Sequence, residues 1–354
     1  MPRTAVIFSD EYYKHNTGKN HPESARRLRA IVEELKLGQL ARSRNWRFIK
    51  PEKARLKDLS LVHDARYVEE VKNICRSGGG LLDSGDTVVS PESYDTALWA
   101  VGGALKAVNI VMQGVCDNSF ALVRPPGHHA TKSYGLGFCI FNNVAIAAKK
   151  LLTDYKLDRI LVLDIDSHHG NGTQQVFFGT QKVLYVSLHE DPSDFPGTGF
   201  LSEVGEGNGR GFKVNVPFPF GTSDRIYIKG WNEIVLPVVH DFRPQFILVS
   251  AGLDCHHADP VGELSLSSFC YDKVFQSIVA LADESCSRRL VLVLEGGYGL
   301  RNVGRIAASA VARMSGSRYL VKDKMPLSNR WIDREGERIL REVKKVQRNY
   351  WRSI

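Results

Sequence analysis

Four short apolar runs, each ending abruptly in a burst of polar residues, constrain this chain more than any other feature. Residues 120–123 lead into Arg124-Pro-Pro-Gly-His128-His129-Ala, and residues 160–163 into Asp164-Ile-Asp166-Ser-His168-His169-Gly-Asn171-Gly. Residues 246–250 lead into Ala-Gly-Leu-Asp254-Cys-His256-His257-Ala-Asp259-Pro260, and Leu290–Leu294 into Glu295-Gly-Gly-Tyr298-Gly. Apolar β-branched runs of this length suit strands buried on both faces, which is the habit of parallel sheets. Ligands of open α/β sheets bind at the carboxyl ends of strands. One polar tip could be a loop of satisfied side chains, but four tips in one sheet would converge on one crevice.

The rest of the pattern supports such a sheet. Residues 4–8 read as an opening strand, and residues 183–188 as another. Helical spacing of apolar residues marks Leu28, Ile31, Val32 and Leu35, with Pro22 suited to that helix's first turn. The same spacing marks residues 61–71, 144–152 and 271–282. Ser90-Pro91 reads as a helix start leading into Ala97, Val101, Leu105 and Val108. Strands alternating with helices predict a three-layer α/β/α architecture around a mostly parallel sheet.

Composition narrows the function. No apolar run approaches the roughly 18 residues that span a bilayer, and the N-terminus has no signal-peptide core. Six scattered cysteines without a Cys-x-x-Cys pair point to reduced thiols and a cytoplasmic location. The net charge of +8 is mostly local: residues 318–354 carry eleven Lys+Arg against five Asp+Glu. The body is nearly neutral and no aromatic-and-basic motif accompanies the tail, so neither nucleic-acid nor membrane binding is expected. With no linker before about residue 316, residues 1–316 read as one domain and 317–354 as a basic extension, helical over 331–351 and docked on the body.

The polar tips carry recognisable chemistry. Asp166 and His168 lie two apart on an extended segment, so both side chains point the same way. With Asp254 they give three ligands and leave a fourth metal position open, as catalytic zinc requires; Fe²⁺ accepts the same donor set. His128 and His129 suit general acid/base work, with Asp164 and Asn171 available to orient them. Tyr298 lies between glycines and can serve as an oxyanion donor. His169 reads as structural, His189 as a residue near the site, and His15, His63 and His240 as structural or exposed. The glycine-rich 205–211 segment reads as a surface turn.

Taken with Phe-Pro-Gly-Thr-Gly at 195–199 and His21-Pro22-Glu23, these motifs resemble the zinc-dependent histone deacetylases. The likeness leans to the class II branch and its bacterial and archaeal relatives, including acetylpolyamine amidohydrolases, and runs from about residue 4 to 315. It implies an arginase/deacetylase-like fold and hydrolysis of the acetyl or short acyl amide of acyl-lysine. The alternatives are acetylpolyamine hydrolysis and, from a different class, a weakly catalytic acyl-lysine binding scaffold. It also implies Phe138 and Phe195 as walls of an acyl-lysine channel, Gly137 as a carbonyl acceptor for the substrate amide, and Asp86 as a rim residue. A potassium ion would lie near Asp164, Ser187 and the carbonyls of Asp166, His168 and Leu188. Gly170 and Gly252 stand where dinuclear relatives carry further carboxylates, so a single catalytic metal is expected. Gly299 follows the tyrosine, as in polyamine-type enzymes, and His257 replaces a frequent Arg.

Overall fold

The computed structural model describes residues 4–354. Its strands are β1 (Thr4–Ile7), β2 (Trp46–Ile49), β3 (Gly80–Leu81), β4 (Val88–Val89), β5 (Asn118–Ala121), β6 (Ile160–Asp164), β7 (Val183–Glu190), β8 (Lys213–Phe218), β9 (Phe246–Ala251) and β10 (Leu290–Leu294). β3 and β4 pair antiparallel in a small ribbon. The other eight form one sheet in the order β2-β1-β5-β10-β9-β6-β7-β8. Every pairing in that sheet is parallel. The strands with polar tips, β5, β10, β9 and β6, are therefore consecutive neighbours.

Two helix groups cover the sheet. The helices Ala25–Leu35, Ser268–Cys286 and Val303–Ser315 pack together, and Ser93–Met112 packs with Asn143–Thr153. Both groups touch β1 and β5, one on each face, which completes the three layers. The central strands are buried throughout, as a sheet covered on both sides requires.

The element boundaries depart from the sequence expectation in instructive places. The helix after Ser90-Pro91 begins only at Ser93, whose hydroxyl accepts from Ser90 N–H (2.7 Å), while the Ser90 hydroxyl accepts from the backbone N–H of Asn16 (3.2 Å). The first long helix starts at Ala25 after Ser24, which leaves Pro22 in the preceding turn. The next long helix spans Ala65–Arg76, so residues 61–64 fall in a turn before it. β5 begins two residues early, where Asn118 accepts from the Thr4 hydroxyl (2.7 Å). The sequence reading missed β2, β8 and the Val303–Ser315 helix. β8 lacks an apolar signature because Lys213 and Asn215 are buried in it. The Lys213 ammonium donates to the carbonyls of Thr180, Val183 and Phe212 at 3.0–3.2 Å.

A final helix, Arg330–Gln347, packs against edge strand β8 and the Asp224–Gly230 helix. Asn329 caps it, accepting from Trp331 N–H at 2.9 Å. Beyond it the Trp351 indole donates to the Gly211 carbonyl (3.0 Å) and stacks edge-on against Phe212.

Candidate functional site

The site forms where the tips of β6, β9, β10 and β5 meet. β6 ends at Asp164, and the chain turns so that the Asp166 carboxylate accepts from His168 N–H (3.0 Å) and, across the sheet, from Gly296 N–H (2.8 Å). Asp254, just past β9, accepts from Ser167 N–H (3.0 Å). The His168 Nδ1 lies 3.4 Å from Asp166 Oδ1 and 3.4 Å from Asp254 Oδ2. One donor atom from each of these three residues falls within 4.8 Å of the others.

This cluster fits a divalent cation. Asp254 Oδ2 is buried without a hydrogen-bond partner. Burial and the adjacent Asp166 charge push the Asp254 carboxyl well above the usual carboxylate range. Two facing carboxylates with an orphaned oxygen and an imidazole nitrogen are unfavourable together unless a positive charge sits among them. Two glycines let the chain close tightly around this cluster. A Cβ at Gly252 would lie 2.3 Å from Asp166 Cα, and one at Gly170 would lie 2.3 Å from Asp164 Oδ2.

The histidine pair follows β5, its rings 3.9 Å apart. His128 Nδ1 is 3.1 Å from Asp164 Oδ2, and His129 Nδ1 is 2.8 Å from Asn171 Oδ1. Because the Asn171 oxygen can only accept, His129 carries its proton on Nδ1 and leaves Nε2 unprotonated. The two titrate in opposite directions. Burial works against a charged His128, but Asp166 and Asp164 outweigh it and lift its pKa to about 10. Burial and the neighbouring His128 charge push His129 down.

Tyr298, just past β10, is held by its backbone: its N–H donates to Asp259 Oδ2 at 2.6 Å, and Gly299 N–H donates to the same oxygen at 2.8 Å. The Arg27 guanidinium lies over its ring at 4.7 Å. Above this floor a cavity of about 270 Å³ is lined by His129, Gly137, Phe138, His168, Phe195 and Tyr298, with Asp86 and Val261 completing the lining. Phe138 meets Tyr298 edge-on at 5.7 Å, and Phe195 meets His129 at 4.9 Å. Phe138 has φ 68, and its N–H is tied to the Thr87 hydroxyl (3.1 Å). That bond also sets the loop between β3 and β4, which carries the exposed Asp86, beside the aromatic wall.

The predicted ligands, histidine pair, tyrosine and channel residues thus lie together at this crevice, whereas His15 contacts Ser93, His63 accepts from Asn142 N–H and His240 is exposed on the helix Leu236–Phe242. Ser187 pairs in register with Asp164, and its hydroxyl contacts His189 Nδ1 at 2.7 Å. His169 is buried against Thr198 (3.0 Å) and His189. His256 joins the Asp323 carboxylate (2.8 Å), with His257 nearby. Ala258 N–H donates to His256 Nδ1 (3.2 Å), so its Nε2 carries the proton and donates it to Asp323, whereas His257 Nε2, 3.5 Å from that carboxylate, has no hydrogen-bond partner.

Three supporting residues went unassigned in the sequence reading. Glu295 accepts from Gly127 N–H (2.6 Å) and His128 N–H (3.2 Å), fixing the turn that carries the histidines. Asp259 holds Tyr298. Glu23 bridges two buried arginines, Arg124 (2.7 Å) and Arg27 (3.1 Å). Each is a carboxylate beside a quoted motif, but apart from Arg27, four residues after Glu23, the groups they hold lie 39 or more residues away.

Comparisons agree with this geometry. Residues 21–314 match the histone deacetylase domain. A probable deacetylase of Archaeoglobus fulgidus is 39% identical over 99% of both chains. A histone deacetylase-like amidohydrolase of Pseudomonas aeruginosa is 36% identical over 86% of this chain and 78% of its own. The crystal structure of the HDA15 HD domain superposes with a TM-score of 0.87 at 31% identity, covering 99% of this chain and 97% of that one. From its motifs, its parallel sheet and these relatives, the chain belongs to the histone deacetylase domain family.

Proposed function

We propose that this chain is a metal-dependent deacetylase that hydrolyses the acetyl or another short acyl amide of acyl-lysine in proteins or peptides. The observation that supports it most is the cluster Asp166, His168 and Asp254 beside two histidines of opposite pKa shift, at the floor of an aromatic-walled cavity. Asp166, His168 and Asp254 would hold the ion; zinc suits their two oxygens and one nitrogen, and Fe²⁺ shares that preference. When bound, the ion supplies Lewis-acid polarisation of the acyl carbonyl and acidifies a water molecule.

The chain's own residues do the remaining work. His129, with its proton directed at Asn171, offers Nε2 to take a proton from the attacking water and return it to the leaving amine. His128, its Nδ1 held by Asp164 at 3.1 Å, stands beside it as the second member of the acid/base pair. The Tyr298 phenol donates to the developing oxyanion. Phe138 and Phe195 flank the methylene stem, the Gly137 carbonyl accepts from the substrate amide, and Asp86 accepts from the substrate backbone at the rim. Potassium would sit near Asp164 and Ser187, which adjoin in register, with carbonyls of Asp166, His168 and Leu188. Residues 1–316 form the catalytic unit and 317–354 its docked basic extension. The six buried free cysteines suit a reducing cytoplasm.

Lysine in a peptide is favoured over a polyamine because Asp86 is the single carboxylate lining the cavity above the ligand cluster, with apolar Val261 also in the lining. A polyamine brings further ammonium groups that need acidic partners. The test compares acetyl-lysine peptide with acetylated polyamines on native enzyme and on Tyr298→Phe. The expected result is preference for the peptide, with turnover reduced roughly 10²–10³-fold by loss of one oxyanion donor. Full activity of Tyr298→Phe would overturn the assigned role, and preference for polyamine would overturn the substrate.

A further inference from the structure

We propose that Glu190 is a positioning residue for His168, holding its imidazole from behind so that Nδ1 faces Asp166 and Asp254. The inference rests on the reading of those three residues as metal ligands. Glu190 is the last residue of β7, and its N–H donates to the Ser167 carbonyl at 2.8 Å, which ties it to the residue preceding His168. Its side chain is only 7% exposed. One oxygen, Oε2, accepts from the Ser167 hydroxyl (2.5 Å) and from Glu263 N–H (2.7 Å). The other, Oε1, lies 3.4 Å from His168 Nε2.

Burying a carboxylate in this way is costly unless it faces positive or donor groups. Oε2 has its donors in Ser167 and Glu263, and what faces Oε1 is the imidazole edge. The opposite nitrogen, Nδ1, lies between two carboxylate oxygens and must present a lone pair to serve as a ligand. The proton therefore belongs on Nε2, the nitrogen next to Glu190. A carboxylate there fixes the tautomer, orients the ring and makes Nδ1 a stronger donor. Each of the site's three imidazoles then has a side-chain oxygen behind it: Asp164 for His128, Asn171 for His129 and Glu190 for His168.

The test measures zinc affinity of the full chain by competition with a fluorescent chelator, together with the absorption spectrum of the cobalt-substituted protein. Glu190→Gln keeps the shape and removes the charge; Glu190→Asp keeps the charge and withdraws it by one methylene. Both should bind zinc roughly 10–100-fold more weakly, the usual cost of losing such a partner, and the cobalt bands should shift. Thermal unfolding of the metal-free variants shows whether they fold, and either one alone suffices. A variant that melts lower without its metal yet binds zinc as tightly as native protein overturns the proposal. His168→Ala separates the two readings. If it loses zinc while the Glu190 variants keep native affinity, the ligands stand and the positioning role falls. If it binds zinc normally, the ligand reading itself fails.

Discussion

Glu23 offers a stability test that runs through the whole architecture. Its carboxylate is fully buried between Arg124 Nε (2.7 Å) and Arg27 Nη1 (3.1 Å). Arg27 in turn donates to the Gly297 carbonyl (2.6 Å), so the ion cluster staples the N-terminal segment to the tip of β10. Burial alone would raise the Glu23 pKa, but the two arginines outweigh it and hold it at about 2 against an ordinary 4.5. At ~1.4 kcal/mol per tenfold in proton affinity, that difference is worth ~3 kcal/mol of folding stability. Because the folded pKa is depressed, this contribution is complete above about pH 4.5 and disappears as pH falls through about 2. Glu23→Gln should therefore cost at least ~3 kcal/mol near neutrality, since it also leaves two buried guanidinium charges short of a partner. The gap between native and variant should narrow by ~1.4 kcal/mol between pH 6 and pH 3.5. Urea unfolding followed by far-ultraviolet circular dichroism at a series of pH values measures both numbers. A neutral-pH gap below ~1 kcal/mol, or the same gap at pH 6 and pH 3.5, would refute the reasoning.

Three further outcomes follow from the packing and the ligand cluster. Trp351→Ala removes the indole that stacks on Phe212 and bonds Gly211, and should lower the unfolding free energy by ~3–5 kcal/mol; a change within ~0.5 kcal/mol would mean that the C-terminal segment is not docked. Gly252→Ala drives a methyl into Asp166, whose Cα would be 2.3 Å away, and should weaken zinc binding in a chelator titration more than Gly18→Ala does, although both lose a glycine. Zinc added to chelator-stripped protein at a hundred times its dissociation constant should raise the unfolding free energy by ~2.7 kcal/mol, read by calorimetry, and that gain should vanish in Asp254→Ala.

The sequence revealed the strand tips and concealed their neighbours. Residues 160–163 and Leu290–Leu294 are apolar because both faces of the sheet are covered, and an uninterrupted apolar run is the one pattern such burial leaves. β8 escaped notice because Lys213 sits in it, its charge satisfied by carbonyls contributed from other strands and loops. β2 is a half-exposed edge strand with arginine at its centre. At the site, Asp166 and His168 were legible together because two-residue spacing on extended backbone is a local rule. Glu190, Asp259 and Glu295 were not, because each acts on a group brought near by sheet order, which no local pattern encodes. The helix starts moved for a similar reason: the Ser90 hydroxyl accepts from the distant Asn16 N–H as well as meeting Ser93 of its own helix.

The sheet order has a consequence for how the molecule comes into being. β5 and β10 lie side by side although about 170 residues separate them, and β10 then pairs with β9 and β9 with β6. Of the adjacent tips at the crevice only those of β9 and β10 come from consecutive strands, and closing the longer loops, above all between β5 and β10, slows folding. The histidine pair and the tyrosine meet only once β10 has entered between β5 and β9. A ribosome-bound chain that has not yet released β10 has Asp166, His168 and Asp254 but no floor beneath them. Metal capture with native affinity should therefore mark the end of folding, and its rate in a refolding experiment reports when the last central strand has been inserted.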